Sequence, residues 1–188
     1  MTVHAHGGRG PGGLLLLGLG NVLLGDDGIG AAALACLERD YQIPPEVRLV
    51  EGGTLGLSLL GEIAQARQLI LVDAVATHDP PGTLVRLDGA AVVDAVRERL
   101  SVHQVGVADL LDAARLIGRY PATVRLLGLV PGSLGLSVTR TAAVQGALPA
   151  LVESIVQEVQ GLGFELLPRA HAHAADGPIR ALTRHFGM

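Results

Sequence analysis

Lysine and tryptophan are absent from this chain of 188 residues, and aromatic residues make up only 2% of it. Every basic residue is therefore arginine, which excludes a Walker lysine, a Schiff-base nucleophile and a Ser–Lys dyad. With so few rings and a formal net charge of −4, the chain lacks the basic, stacking surface that nucleic acids require. One cysteine, Cys36, excludes a disulfide framework and suits a reducing cytoplasm. Its small apolar neighbours make it a helix filler rather than a nucleophile. Long apolar runs are missing too: the stretch beginning at Leu14 meets two acids, Asp26 and Asp27, before it could span a bilayer. The opening MTVHAHGGRGPGG carries glycine and proline where a secretory signal needs an apolar core. These absences point to a cytoplasmic protein without a nucleic-acid or membrane partner.

What is present is aliphatic. Hydrophobic residues make up 49% of the chain, enough at this length for one domain with a sizeable core. Leu14 to Leu19 reads as a buried strand that ends in a glycine turn at Gly18 and Gly20, followed by Asp26 as a helix N-cap and a helix from Asp27 to Arg39. Gly28 and Gly30 lower helix propensity there, so something must approach closely. After Pro44 and Pro45, Val47 to Glu51 repeats the pattern, with Gly52-Gly53-Thr54 as the turn and a helix over residues 56–66. Gln68 to Val72 is a third strand that delivers Asp73 at its carboxyl end. Thr83 to Leu87 alternates as a half-exposed edge strand. A helix over 90–100 follows, then one capped by Ser101, with His103 in its first turn and an apolar stripe through Val107, Leu110, Leu111 and Ala114. Thr123 to Val130 is the last strong strand, and a helix from Thr139 or Thr141 to about Gln160 carries Pro149 as a kink.

Strands alternating with helices in short units predict an α/β three-layer sandwich: a mostly parallel, twisted sheet of about five strands with helices on both faces. The expected organisation is a flexible tail over residues 1–12, a single domain over 13–165, and a second tail over 166–188.

Two familiar motifs fail. Gly18-Leu19-Gly20 follows a strand, but the dinucleotide fingerprint needs a third glycine where Leu23 stands, leaving Glu51 as the only residue in its favour. Pro131 occupies the first glycine of a hydrolase elbow at 131–135. The stronger constellation is Asp27, Asp73 and His103. Each adjoins a different regular element at one edge of the expected sheet, and two carboxylates with one imidazole form an incomplete shell for a divalent transition metal. Spacing alone leaves the plainer alternatives open: a cap, a strand-end turn residue and a surface histidine.

Five segments, in order, resemble the motifs of the [NiFe]-hydrogenase maturation proteases: GLGNVLLGDDGIG, EGGTLGLSLL, LILVDAVATHDPPGTLVRL, SVHQVGVADLL and LLGLVPGSLGLS. The resemblance runs from Leu14 to about Val156. It implies an endopeptidase, of aspartic or metal-dependent type, that removes a carboxyl-terminal extension from the hydrogenase large-subunit precursor after nickel insertion. It places the family's metal-binding and catalytic residues on Asp27, Asp73 and His103. The nickel belongs to the precursor, and other divalent transition metals are expected to substitute in vitro. Asp26 is then a supporting acceptor behind the metal residues or an ordinary cap, and Gly52, Gly53 and Thr54 border the cleft as substrate contacts or form a turn that needs positive φ. A monomer is expected. The chain departs from the family pattern at Asp27, where some members have glutamate, at Glu51, where aspartate is common, and after Pro131, where Gly132 and a shortened loop replace glutamate and a longer one. A rival from another class is a metal-checking chaperone that docks the same precursor without cutting it; a cofactor-binding oxidoreductase is a third reading.

Overall fold

In the computed structural model, which describes residues 13–53, 56–98 and 106–169, the leucine run Leu14–Leu19 is the interior strand β1, with every residue buried. A 3-10 turn at Gly25–Gly28 leads into helix α1, Ile29–Asp40. A two-residue strand β2 (Tyr41–Gln42) precedes β3 (Val47–Gly53); a second 3-10 turn, Gly56–Leu59, then runs into α2 (Leu60–Gln65). After β4 (Gln68–Ala74) come β5 (Leu84–Asp88), α3 (Ala90–Glu98), α4 (Val107–Leu116), β6 (Thr123–Leu129), α5 (Ala142–Gly161) and β7 (Leu167–Pro168).

The main sheet has five strands in the order β3-β1-β4-β6-β5, all parallel except β5, which runs antiparallel to β6. Period-2 alternation sends successive leucines to opposite layers. Leu14, Leu16, Ile70 and Val72 pack with α1 and α5, while Leu15, Leu17, Leu69 and Leu71 pack with α2, α3 and α4. Both faces are thus covered, which is why β1 and β4 read as continuous apolar runs. The edge strand β5 alternates between exposed and half-buried residues, as its sequence predicts. It is tied to α5 by charge: the buried Glu158 pairs with Arg86, at 3.0 Å, and with Arg125, which also pairs with Asp88 at 2.9 Å. No helix among the described residues is long and apolar enough to cross a membrane.

Several boundaries differ from the sequence reading. Helix α1 starts at Ile29 rather than Asp27, and Asp26 is not its N-cap. That place belongs to Gly28 with no side-chain cap, because the Asp26 carboxylate is engaged elsewhere. Helix α4 is capped by Gly106, whose N–H donates to Asp109 Oδ2 at 3.0 Å; the expected cap Ser101 lies outside the described residues, as does His103. Pro149 sits inside α5 without dividing it. The chain remains held beyond 165: Leu166 is buried, β7 pairs with β2, and the Arg169 N–H donates to the Asp40 carbonyl at 2.7 Å.

The cost of glycine in α1 has a packing reason. A Cβ on Gly30 would lie 2.4 Å from the carbonyl oxygens of both Leu19 and Val72, so only glycine lets the helix start rest on the ends of β1 and β4. Gly30→Ala is therefore expected to destabilise the fold by roughly 1–3 kcal/mol. Gly146→Ala in α5, where a Cβ meets nothing within 4 Å, is expected to stabilise it by about 0.5–1 kcal/mol. Urea midpoints at unchanged m-value check both.

Candidate active site

The strand order reverses between β1 and β4: β3 lies on one side of β1, and the chain then crosses back to place β4 on the other. Open α/β sheets bind ligands in the crevice outside the carboxyl ends of strands at such a reversal. Asp27 follows β1 and Asp73 closes β4, so two of the three expected site residues belong to this crevice. The turn that carries Asp27 packs on the end of β4, and Gly30 fixes that contact through the Val72 carbonyl.

The Gly-Asn pair sets the position of Asp27. Gly20 has φ +95, and a Cβ on it would fall 1.8 Å from the Asp27 carbonyl oxygen, so the turn closes only with glycine. Asn21 accepts the Leu23 N–H on its side-chain oxygen at 3.0 Å and donates its own N–H to Asp27 Oδ2 at 2.7 Å. The first is an Asx turn, a local bond that shapes the loop; the second aims the carboxylate. Asp73 is 5% exposed, and its Oδ1 accepts the Ala74 N–H at 2.8 Å. It stands opposite Gly128 of β6, where a Cβ would lie 2.0 Å from the Asp73 carbonyl oxygen. Gly128 was not singled out by sequence reasoning, and a lone glycine late in a strand is its only signal.

Asp26 and Asp27 are sequence neighbours with different tasks. Asp26 is 1% exposed and faces away from the crevice residues, into the loop over residues 132–141. Its carboxylate accepts the N–H of Gly132 at 2.8 Å, of Ser133 at 3.0 Å and of Thr141 at 2.7 Å, together with the Thr141 hydroxyl at 2.8 Å. The carboxylate is thus a clasp between the first and last loops of the site. Burial favours the neutral acid, but the bonds from Thr141, Gly132 and Ser133 favour the charged form and prevail, holding the Asp26 pKa below its ordinary value.

Gly52 and Gly53 divide similarly. Gly52 is buried, and a Cβ on it would press on Leu17, Leu19 and Leu59, so it serves the core. Gly53 is exposed at φ +47 beside Gly20, which makes it the strand-to-turn residue that needs a left-handed conformation. Thr54, the third of that trio, and His103, the third expected ligand, lie outside the described residues. Among the described residues no group of three His, Cys, Asp or Glu stands close enough to hold a metal ion. Cys36 is partly buried on α1 against the core.

Comparison with known proteins decides the family. Residues 33–158 match the model of the hydrogenase maturation proteases. The hydrogenase 2 maturation protease of Escherichia coli K12 is 35% identical over 161 residues, covering 85% of this chain and 98% of that protein. This chain belongs to the hydrogenase maturation protease family. The hydrogenase expression/formation protein HoxM of Cupriavidus necator is 34% identical over 83% of this maturation protease and 74% of its own length. The solved structure of the E. coli hydrogenase maturating endopeptidase HybD superposes with a TM-score of 0.79 at 35% identity, over 84% of this chain and 98% of that one. A hydrogenase 2 maturation peptidase from a Thaumarchaeota archaeon gives 0.60 at 30% identity, over 81% and 99%. The protein is accordingly a peptidase of hydrogenase maturation, and the oxidoreductase reading is left without support.

The Asp26 clasp makes a prediction of its own. Asp26→Ala strands three N–H donors and is expected to cost roughly 2–4 kcal/mol. Because the folded-state pKa of Asp26 is lowered, its stabilisation is complete above the ordinary aspartate range, near pH 4, and is lost as pH falls through the folded value. Urea titrations between about pH 2 and 6 should therefore show a flatter acid limb in Asp26→Asn than in the unsubstituted protein.

Proposed function

We propose that this maturation protease removes the carboxyl-terminal extension of a [NiFe]-hydrogenase large-subunit precursor after nickel insertion, with the nickel as part of the substrate. The observation that carries the reading is the placement of Asp27, in the turn that follows β1, and Asp73, near the end of β4, at the carboxyl edge where the strand order reverses. Family membership, and the resemblance of the GLGN and VDA segments that carry the two acids to the family's motifs, support it.

The donor chemistry fits nickel, since carboxylate oxygens and an imidazole nitrogen suit divalent transition metals. Asp27 and Asp73 supply two donors, and His103 of the SVHQ motif is the third by sequence. Such a shell is incomplete, so ligands from the precursor finish it and cleavage becomes conditional on a loaded substrate. Other divalent ions would fill the same donor set in vitro. A bound metal polarises a scissile carbonyl or lowers the pKa of water. The protein's own part is to orient its carboxylates, Asp27 through Asn21 and Asp73 through Ala74, and to move protons. Hydrolysis takes a proton from water and returns one to the leaving amine, which a carboxylate pair with an imidazole can do. Gly53, beside Gly20, would border the bound peptide, and Thr54 would do so by its place in the sequence.

Mass spectrometry of the precursor tests this directly. Nickel-loaded precursor should lose its extension while nickel-free precursor keeps its mass. Asp27→Asn, Asp73→Asn and His103→Ala should each slow cleavage by about a hundredfold or more with thermal melting retained. Unimpaired cleavage by these variants would refute the site. A precursor that binds yet keeps its mass would instead favour the chaperone.

A further inference from the structure

Ten large apolar side chains stand exposed among the described residues, and six of them lie on loops at the carboxyl edge of the sheet. Leu57 follows β3, Val22 and Leu23 follow β1, and Leu134, Leu136 and Val138 follow β6. Leu136 is 87% exposed and Val138 77%. Clustered exposure of this kind marks a binding surface, whereas scattered single residues need no explanation.

The loops that display these groups are fastened to each other. The Ser137 N–H donates to the Leu23 carbonyl at 2.9 Å, and the Gly25 N–H donates to the Ser137 carbonyl at 2.7 Å. The Asp26 N–H donates to the Ser133 carbonyl at 3.2 Å, while the Asp26 carboxylate anchors both ends of the loop at Gly132 and Thr141. The ledge is held in place before any partner arrives, so docking on it costs little ordering. Its chemistry is uniform: residues 20–25 (GNVLLG) and 131–139 (PGSLGLSVT) include no ionisable side chain. The ledge also runs straight into the crevice. Val22 lies so near Gly28 that a Cβ there would come within 2.9 Å of its Cα, and Gly28 adjoins Asp27.

We infer that this ledge seats an uncharged, apolar segment of the hydrogenase precursor next to the scissile bond, and that Leu136 and Val138 help set which precursor is accepted. The inference rests on the proposed function. It favours the substrate over a second copy of this chain because any standing occupant of the ledge would block the approach to Asp27 and Asp73. The absence of ionisable groups selects an apolar stretch over a charged one.

The test is steady-state cleavage of nickel-loaded precursor by the double variant Leu136→Ser, Val138→Ser, with Leu116→Ser, 88% exposed at the end of α4, as the control at the opposite edge. Because both substituted side chains are already largely exposed, melting should not change. The double variant should raise KM about tenfold or more with kcat within about twofold, while Leu116→Ser behaves as the unsubstituted enzyme. Unchanged KM overturns the ledge, and so does a fall in kcat at constant KM. Sedimentation that shows an unsubstituted dimer dissolved by the same pair would also overturn it, making the surface a self-association face. If the unsubstituted enzyme leaves the precursor uncut, the peptidase reading falls and the ledge with it. Normal cleavage by both proteins removes the ledge alone.

Discussion

An ionised carboxylate withdrawn from water costs several kcal/mol unless its oxygens are satisfied, and Asp26, at 1% exposure, is satisfied by four donors from one loop. Three are backbone N–H groups, which cannot shift without moving the chain. The fourth is the hydroxyl of Thr141, the residue that caps α5. One charge thus fixes where the last helix starts and where the loop after β6 lies. Because Asp26 shares a 3-10 turn with Asp27, the same bonds hold the turn that presents the crevice carboxylate. A single turn faces two ways: inward, where Asp26 binds the scaffold, and outward, where Asp27 stands at the carboxyl edge of the sheet.

Close backbone approach is the other constraint, and it acts at the same edge. The start of α1 rests on the carbonyls of Leu19 and Val72 through Gly30, and β6 passes the Asp73 carbonyl through Gly128. Each contact sets the height of an element that carries a crevice carboxylate. A methyl group at either place would have to push backbone, which gives way less readily than the tip of a side chain. The precision of the site therefore derives from what these glycines lack.

Much of this was legible in the sequence, and for definite reasons. Strands β1 and β4 are buried on both faces, so they read as unbroken apolar runs, and their ends announced Asp27 and Asp73. The alternation in β5 announced an edge. The penalty of Gly30 inside a helix announced a close approach. The clasp was not legible: Asp26 and Thr141 are separated by 115 positions, and aspartate before a helix has a commoner local use as a cap. The pairing of Leu167–Pro168 with Tyr41–Gln42 was not legible either, since it is decided by tertiary contact rather than by two-residue patterns. Gly52 and Gly53 look alike in sequence, yet the alternation of a strand buries one and exposes the other.

The exposed leucines and the buried aspartate explain each other. A loop bearing Leu134, Leu136 and Val138 gains little by leaving them in water, and left to itself it would fold them toward the nearest apolar surface. Asp26 opposes that collapse. With Gly132, Ser133 and Thr141 held by charge-assisted bonds, the loop between them has little freedom to turn its side chains inward. Inward collapse would strip those bonds and leave a buried anion unpaired, a penalty larger than the burial of one leucine returns. The apolar face stays displayed beside the crevice because one ionised side chain makes hiding it unfavourable.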